Sequence, residues 1–193
     1  MSSTASSKST RPPFTLKVAA NQNEIEACYD LRIEVFSVEQ GFPLDTEIDE
    51  HDPTAVHFLL TTPVSSPPDV STSSLPPTSH SSTTTEKPIG TIRFVPELGK
   101  LTRLAVLKEY RQYGLGRLLV EEMEKWVKNN AETEALKDLI KDIGGLGAIK
   151  IKCHSQIPVV PFYSRLGYVA DGPEFDEEGE PHQTMYHTLL LDH

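Results

Sequence analysis

Apolar and polar positions along the 193-residue chain switch between two periods, and each switch marks an element. Residues 14–20 (FTLKVAA) alternate as a strand does. Residues 21–40 open on Asn21, a residue type that caps helix starts, and then repeat Ile25, Cys28, Tyr29, Arg32, Val35 and Phe36 at helical spacing. Residues 55–62 (AVHFLLTT), 88–95 (PIGTIRFV) and 99–107 (GKLTRLAVL) read as strands. Residues 114–130 (GLGRLLVEEMEKWVKNN) form an amphipathic helix with Leu115, Leu118, Leu119, Met123 and Trp126 on one side. A strand follows over 147–154 (GAIKIKCH). Residues 157–167 (IPVVPFYSRLG) predict a short helix whose prolines fit only its first turn. Residues 168–172 and 182–191 close the chain as strands, and residues 132–145 predict an inserted helical turn or two. No internal repeat interrupts this order.

Composition changes that picture in two places. In Thr62 to Pro88, 20 of 27 residues are Ser, Thr or Pro, too few apolar groups to offset the entropy of ordering. Strand-like runs flank it, so it predicts a disordered insertion inside one domain spanning 14–193. Residues 1–13 are Ser-rich, with Lys8 and Arg11 but no acid and no amphipathic face. They read as a flexible tail rather than a mitochondrial presequence.

Charge narrows the partners. The net charge is −10, with ten acids against one Lys or Arg over residues 24–58 and six acids against none over 171–182. Such a surface repels nucleic acid and anionic lipid and favours a cationic small molecule, unless it is simply a solvated face. No apolar run reaches the roughly 18 residues of a membrane span. Two cysteines, Cys28 and Cys153, make neither a disulfide framework nor a zinc set, which suits a reducing, cytoplasmic setting, the nucleus included. Both fall on core-facing positions, Cys153 without a group to lower its pKa, and the scattered histidines predict no metal site.

The chemistry gathers where residues 99–107 hand over to the long helix. Gly114 and Gly116 stand at its start, beside Arg111 and Arg117. A helix start leaves N–H groups unpaired and carries about half a positive charge, so it attracts an anion. Glycine lets that anion approach the backbone closely. A dinucleotide fingerprint needs a third glycine where Leu119 stands, and a Walker loop needs a GKS or GKT absent here.

Arg111-Gln112-Tyr113-Gly114-Leu115-Gly116, preceded by LTRLAV, resembles the acetyl-CoA signature R/Q-x-x-G-x-G/A of the GNAT acetyltransferases. PFYSRLGY, 161–168, is similar to the second block of that superfamily. The runs LRIEVFSVEQGFPLDTEIDEHDPTAVHFLL and GEPHQTM resemble its ElaA-like branch. The resemblance implies a mixed α+β fold in the α/β class, with a central, mostly antiparallel sheet of six to seven strands flanked by helices. It implies an acetyl-CoA-dependent N-acetyltransferase acting on a small amine, with no metal and with a homodimer left open.

The resemblance also implies roles for residues. Arg111, Gln112, Tyr113, Gly114, Leu115, Gly116 and Arg117 would hold the diphosphate. A strand bulge would free N–H groups along Leu104, Ala105 and Val106, with Gln156 and Phe162 beside the coenzyme arm. Tyr163 would serve the leaving thiolate as an acid. An amine with pKa near 10.4 costs about 4.6 kcal/mol to hold neutral at pH 7, so a proton acceptor is wanted. Glu39 is the first candidate, with His57 and His182 as alternatives nearer neutrality. Two other readings stand beside this one: a non-catalytic acyl-CoA-binding module, and an acyl-homoserine-lactone-synthase-like enzyme.

Overall fold

A computed structural model describes residues 11–64 and 85–191. The chain opens with strand β1 (Thr15–Val18) and helix α1 (Gln22–Arg32). Asn21 caps α1 as its sequence position predicts, its Oδ1 accepting from the Glu24 N–H at 3.1 Å. The helix then widens into a π-helical stretch, Ile33–Glu39, instead of continuing to residue 40 as a regular helix. Strands β2 (Val56–Val64), β3 (Thr85–Val95) and β4 (Lys100–Val106) follow, then helix α2 (Leu115–Asn129). The second half comprises β5 (Ile140–Ile143), β6 (Leu146–Gln156), helix α3 (Val160–Ser164), β7 (Val169–Ala170), β8 (Phe175–Glu177) and β9 (Glu180–Leu190).

Nine strands among the described residues form one open sheet in the order β1-β2-β3-β4-β6-β9-β7, with β5 beside β6 and β8 beside β9. The seven-strand path matches the expected size; β5 and β8 are additions. Neither strand is among those the periodicity predicts. Ile143 pairs with Leu146 across Gly144 and Gly145, both at positive φ, and Glu177 pairs with Glu180 across Glu178 and Gly179, both also at positive φ. Two-residue turns of that handedness match strand twist, so each builds a hairpin. The helical turn expected over 132–145 is therefore a single 3-10 turn, Lys137–Leu139, followed by β5.

The expected insertion is narrower than its composition suggests. Thr62, Pro63 and Val64 pair with Lys87, Glu86 and Thr85, extending β2 and β3 into its two ends. Residues 65–84, and most of the expected N-terminal tail, lie outside the described residues.

Two layers of side chains cover the sheet. Leu115, Leu119, Val120, Met123 and Val127 of α2 bury against Phe58, Leu60, Ile92 and Phe94. Trp126 packs edge-on to Phe58, with ring centroids 6.3 Å apart. Cys28 and Leu31 of α1 cover the opposite face through Leu59. Every ladder is antiparallel except β4 with β6, which is parallel and only two residues long: Lys100 opposite Lys152 and Leu101 opposite Cys153. Beyond Leu101 these strands separate, and the opening between them positions the site.

Candidate active site

A bulge starts the separation. Thr91 pairs with Ala105 but Arg93 with Thr102, so β4 carries one extra residue opposite Ile92, and Arg103 adopts φ 53° there. A bulge residue in the left-handed region is usually glycine; an arginine there needs support from its surroundings. The Leu107 N–H donates to Ile89 of β3 at 3.0 Å. Strand alternation then aims the N–H groups of Leu104 and Val106 the other way, toward the departed β6. Buried Ala105 faces β3.

Support for the bulge comes from a buried charge cluster. Arg32 meets Asp52 at 2.6 Å, and Arg93 meets Asp49 at 2.7 and 2.8 Å and Asp52 at 2.9 Å. The Arg103 guanidinium donates to the Thr46 carbonyl and lies 3.7 Å from Glu47, which also faces Arg32 at 3.8 Å. Burial alone would raise the Asp49 carboxyl, but the hydrogen bonds and charge of Arg93 overcome it and hold it at about 2. Burial raises Glu47 despite the pull of Arg103 and Arg32. Much of the acidic run over 45–52 is thus neutralised inside the fold and is not a free cation-binding face. His57 belongs to the same cluster, its Nε2 3.1 Å from the Asp52 carbonyl, and burial lowers its pKa.

The cleft between the splayed strands encloses about 530 Å³. Leu104, Gln156, Tyr163 and His182, all expected at the site, line it together. Tyr163 is buried, which pushes its hydroxyl well above its ordinary pKa. The His182 Nδ1 lies 2.9 Å from the Glu180 carbonyl. A carbonyl only accepts, so Nδ1 carries a hydrogen, and in the neutral ring the lone pair is therefore on Nε2, 4.0 Å from Glu177. Three further lining residues escaped the sequence reading: Lys100, His154 and Glu177. The His154 Nδ1 lies 3.0 Å from Glu177 and 3.1 Å from Lys100. The hydrogen bond from His154 lowers the Glu177 carboxyl. Only the folded sheet brings these residues together, so no spacing announces them.

The glycine turn stands at the other end of β4. Gly114 has φ 69°, no side chain caps α2, and no acid lies in its first turn. Leu115 is buried in the core, whereas Gln112 is exposed. Phe162 buttresses the turn from below, since a β-carbon on Gly116 would stand 3.5 Å from its ring. Arg111 does not reach over the turn: both terminal nitrogens bind Glu39 at 2.6 Å, and its Nε donates to the Val106 carbonyl at 2.9 Å. This pairing with Arg111 lowers the Glu39 carboxyl and makes it a poor proton acceptor. Arg117 pairs with Glu121 at 2.6 Å, and the Tyr113 carbonyl accepts from Arg11 at 2.9 Å. Gln156 donates to Gln40 at 3.0 Å, bridging the cleft beside the Glu39–Arg111 pair. Cys153 is buried, and its thiol is pushed up to about 12 by that burial.

Comparison with known proteins places the fold in company. Residues 81–170, which include β3 to β7, match the model of the acetyltransferase (GNAT) domain. The uncharacterized N-acetyltransferase YjcF of Bacillus subtilis (strain 168) is 29% identical over 171 residues, which cover 87% of this chain and 95% of that one. Among solved structures, an acyl-CoA N-acyltransferase from Pseudomonas aeruginosa superposes with a TM-score of 0.61 at 20% identity, covering 90% of this chain and 97% of that one. ElaA of Escherichia coli superposes with a TM-score of 0.61 at 16% identity and the same coverage, a likeness of fold.

Proposed function

Because this chain is an N-acetyltransferase of the GNAT superfamily, with an acyl-CoA as its donor, we propose that it moves acetyl from acetyl-CoA to the primary amine of a small acceptor, cationic at rest, within a ternary complex. The observation that carries the reading is the separation of β4 from β6 at the Arg103 bulge, which turns two N–H groups away from β3 on the strand that leads from the cleft lined by Leu104 and Tyr163 to the glycine turn.

The residues present fit such a donor. At Gly114 the flank of the turn is bare where a side chain would stand, and the α2 start has no cap of its own. These features suit a diphosphate held by backbone N–H groups of residues 114–117. Bound donor supplies an activated acyl group; the chain's part is to orient it and to manage charge and protons.

Leu104 and Val106 are suited to present N–H donors to the oxygen on which negative charge develops. Such fixed donors in a water-poor cleft are often the largest single contribution to catalysis. Tyr163 is suited to steady the leaving sulfur. A phenol raised so far above its ordinary range stays protonated, so it acts by donating a hydrogen bond rather than by losing its proton outright. His182 is better placed than Glu39 to take the proton from the acceptor. Its Nε2 lone pair borders the cleft, and Glu177 stands near enough to stabilise the imidazolium that results. Glu39 instead fixes Arg111 beside the turn.

An acceptor screen tests this reading. Acetyl-CoA is presented with polyamines, amino sugars and lysine-like amines, and thiol release is recorded. Release that depends on one class of amine supports it. Donor binding without release from any amine would mean a binding module rather than an enzyme.

A further inference from the structure

We propose that Arg11, four residues ahead of β1, is a donor-binding residue whose guanidinium engages the diphosphate over the glycine turn. The proposal rests on the donor reading above.

Arg11 is already attached to the turn. Its Nε donates to the Tyr113 carbonyl at 2.9 Å, and its Nη2 lies 3.6 Å from where a β-carbon on Gly114 would stand. The bare flank of Gly114 therefore faces a guanidinium, with the terminal nitrogens still able to donate to a ligand.

The cations of the motif itself are neutralised within the chain. Arg111 is bidentate to Glu39, and Arg117 is paired with Glu121. Arg11 has no carboxylate partner among the described residues; its other contact is the Phe14 ring, 6.0 Å from the guanidinium carbon. A diphosphate bound at the N–H groups of the turn would meet two spent arginines and one available one. A guanidinium suits it, because its planar fork donates in pairs to phosphate oxygens.

The segment is also anchored rather than merely nearby. The Pro13 carbonyl accepts from Thr62 Oγ1 at 2.7 Å, and β1 begins at Thr15 against Thr61. Arg11 thus starts two residues from a fixed point, which reduces the entropy lost in ordering it on a ligand. Lys108 provides the comparison: it lies on the approach to the turn but makes no hydrogen bond with it among the described residues.

Calorimetry on the full chain with acetyl-CoA tests the proposal. Arg11→Ala should weaken binding about tenfold, as expected for a hydrogen bond to a charged group. Arg11→Lys should recover part of that loss, and Lys108→Ala should lose less than about threefold. The Arg11→Ala loss should be the same size with acetyl-dephospho-CoA, which keeps the diphosphate but lacks the 3′-phosphate. Arg11 is exposed, so equal melting temperatures are expected throughout. Unchanged affinity in Arg11→Ala would overturn the proposal. So would an equal loss in Lys108→Ala, or a loss that vanishes with the dephospho ligand. No heat from the wild-type chain would instead remove the donor reading itself, and the proposal with it.

Discussion

The two ends of the cleft are built by opposite means. At the α2 end, the groups left open are mostly main-chain: a glycine at positive φ, an uncapped helix start, and strand N–H groups turned out by a bulge, with the Arg11 side chain beside them. At the other end they are side chains from four separated stretches: Glu47, then Lys100, His154, and the pair Glu177 and His182. Main-chain recognition restricts the sequence only where a side chain must be missing. Side-chain recognition depends on which residues the sheet happens to bring together. The first end therefore depends on few side chains, and the second on many.

The comparison can be broken from either side. Arg93→Ala should be the most damaging change, because it takes from the charge cluster the bidentate partner of Asp49 and one of the two arginines that hold Asp52. A loss of about 3–5 kcal/mol in urea unfolding is expected. A loss below about 1 kcal/mol would mean that the cluster does not hold the side-chain end together. Gly114→Glu should act at the other end alone. It puts a side chain on a left-handed residue and a negative charge at a helix start, and should weaken acetyl-CoA binding about a thousandfold, read by calorimetry, while the melting temperature falls by only about 2–8 °C.

Tyr163→Phe sharpens the middle of the cleft. Turnover should fall about a hundredfold with donor affinity nearly unchanged; an equal fall in both would make the residue a packing element. The smallest effect concerns acid. The folded pKa of Asp49 is about 2, below the usual value of 3.8. Its contribution is therefore present above the unfolded pKa and is lost as pH falls through the folded one, amounting to about 2 kcal/mol between pH 5 and 2. Urea midpoints measured across that window should decline in the wild type and decline less in Asp49→Asn.

How much was legible follows the same division. The long helix, the strands around it and the glycine turn were readable because period and missing side chains are local signals. Two hairpin strands were missed, although Gly144-Gly145 and Glu178-Gly179 carried the turn chemistry that makes them. Glu39 illustrates a harder limit. Nothing in FSVEQ indicates that its carboxylate lies 2.6 Å from a guanidinium 72 residues onward. The acidic run over 45–52 was open to the same error, since its partners Arg32, Arg93 and Arg103 lie on three other elements.

By itself, then, the sequence determined the alternation of strands and helices and the bare helix start after β4. These depend on backbone propensity and on side-chain presence or absence within a few residues. Tertiary structure alone decided where β4 leaves β6, which charges neutralise one another, and which histidines line the cleft. Each of these depends on distances between residues far apart in the chain, fixed only when the sheet closes its register and burial makes an unpaired charge too costly to keep.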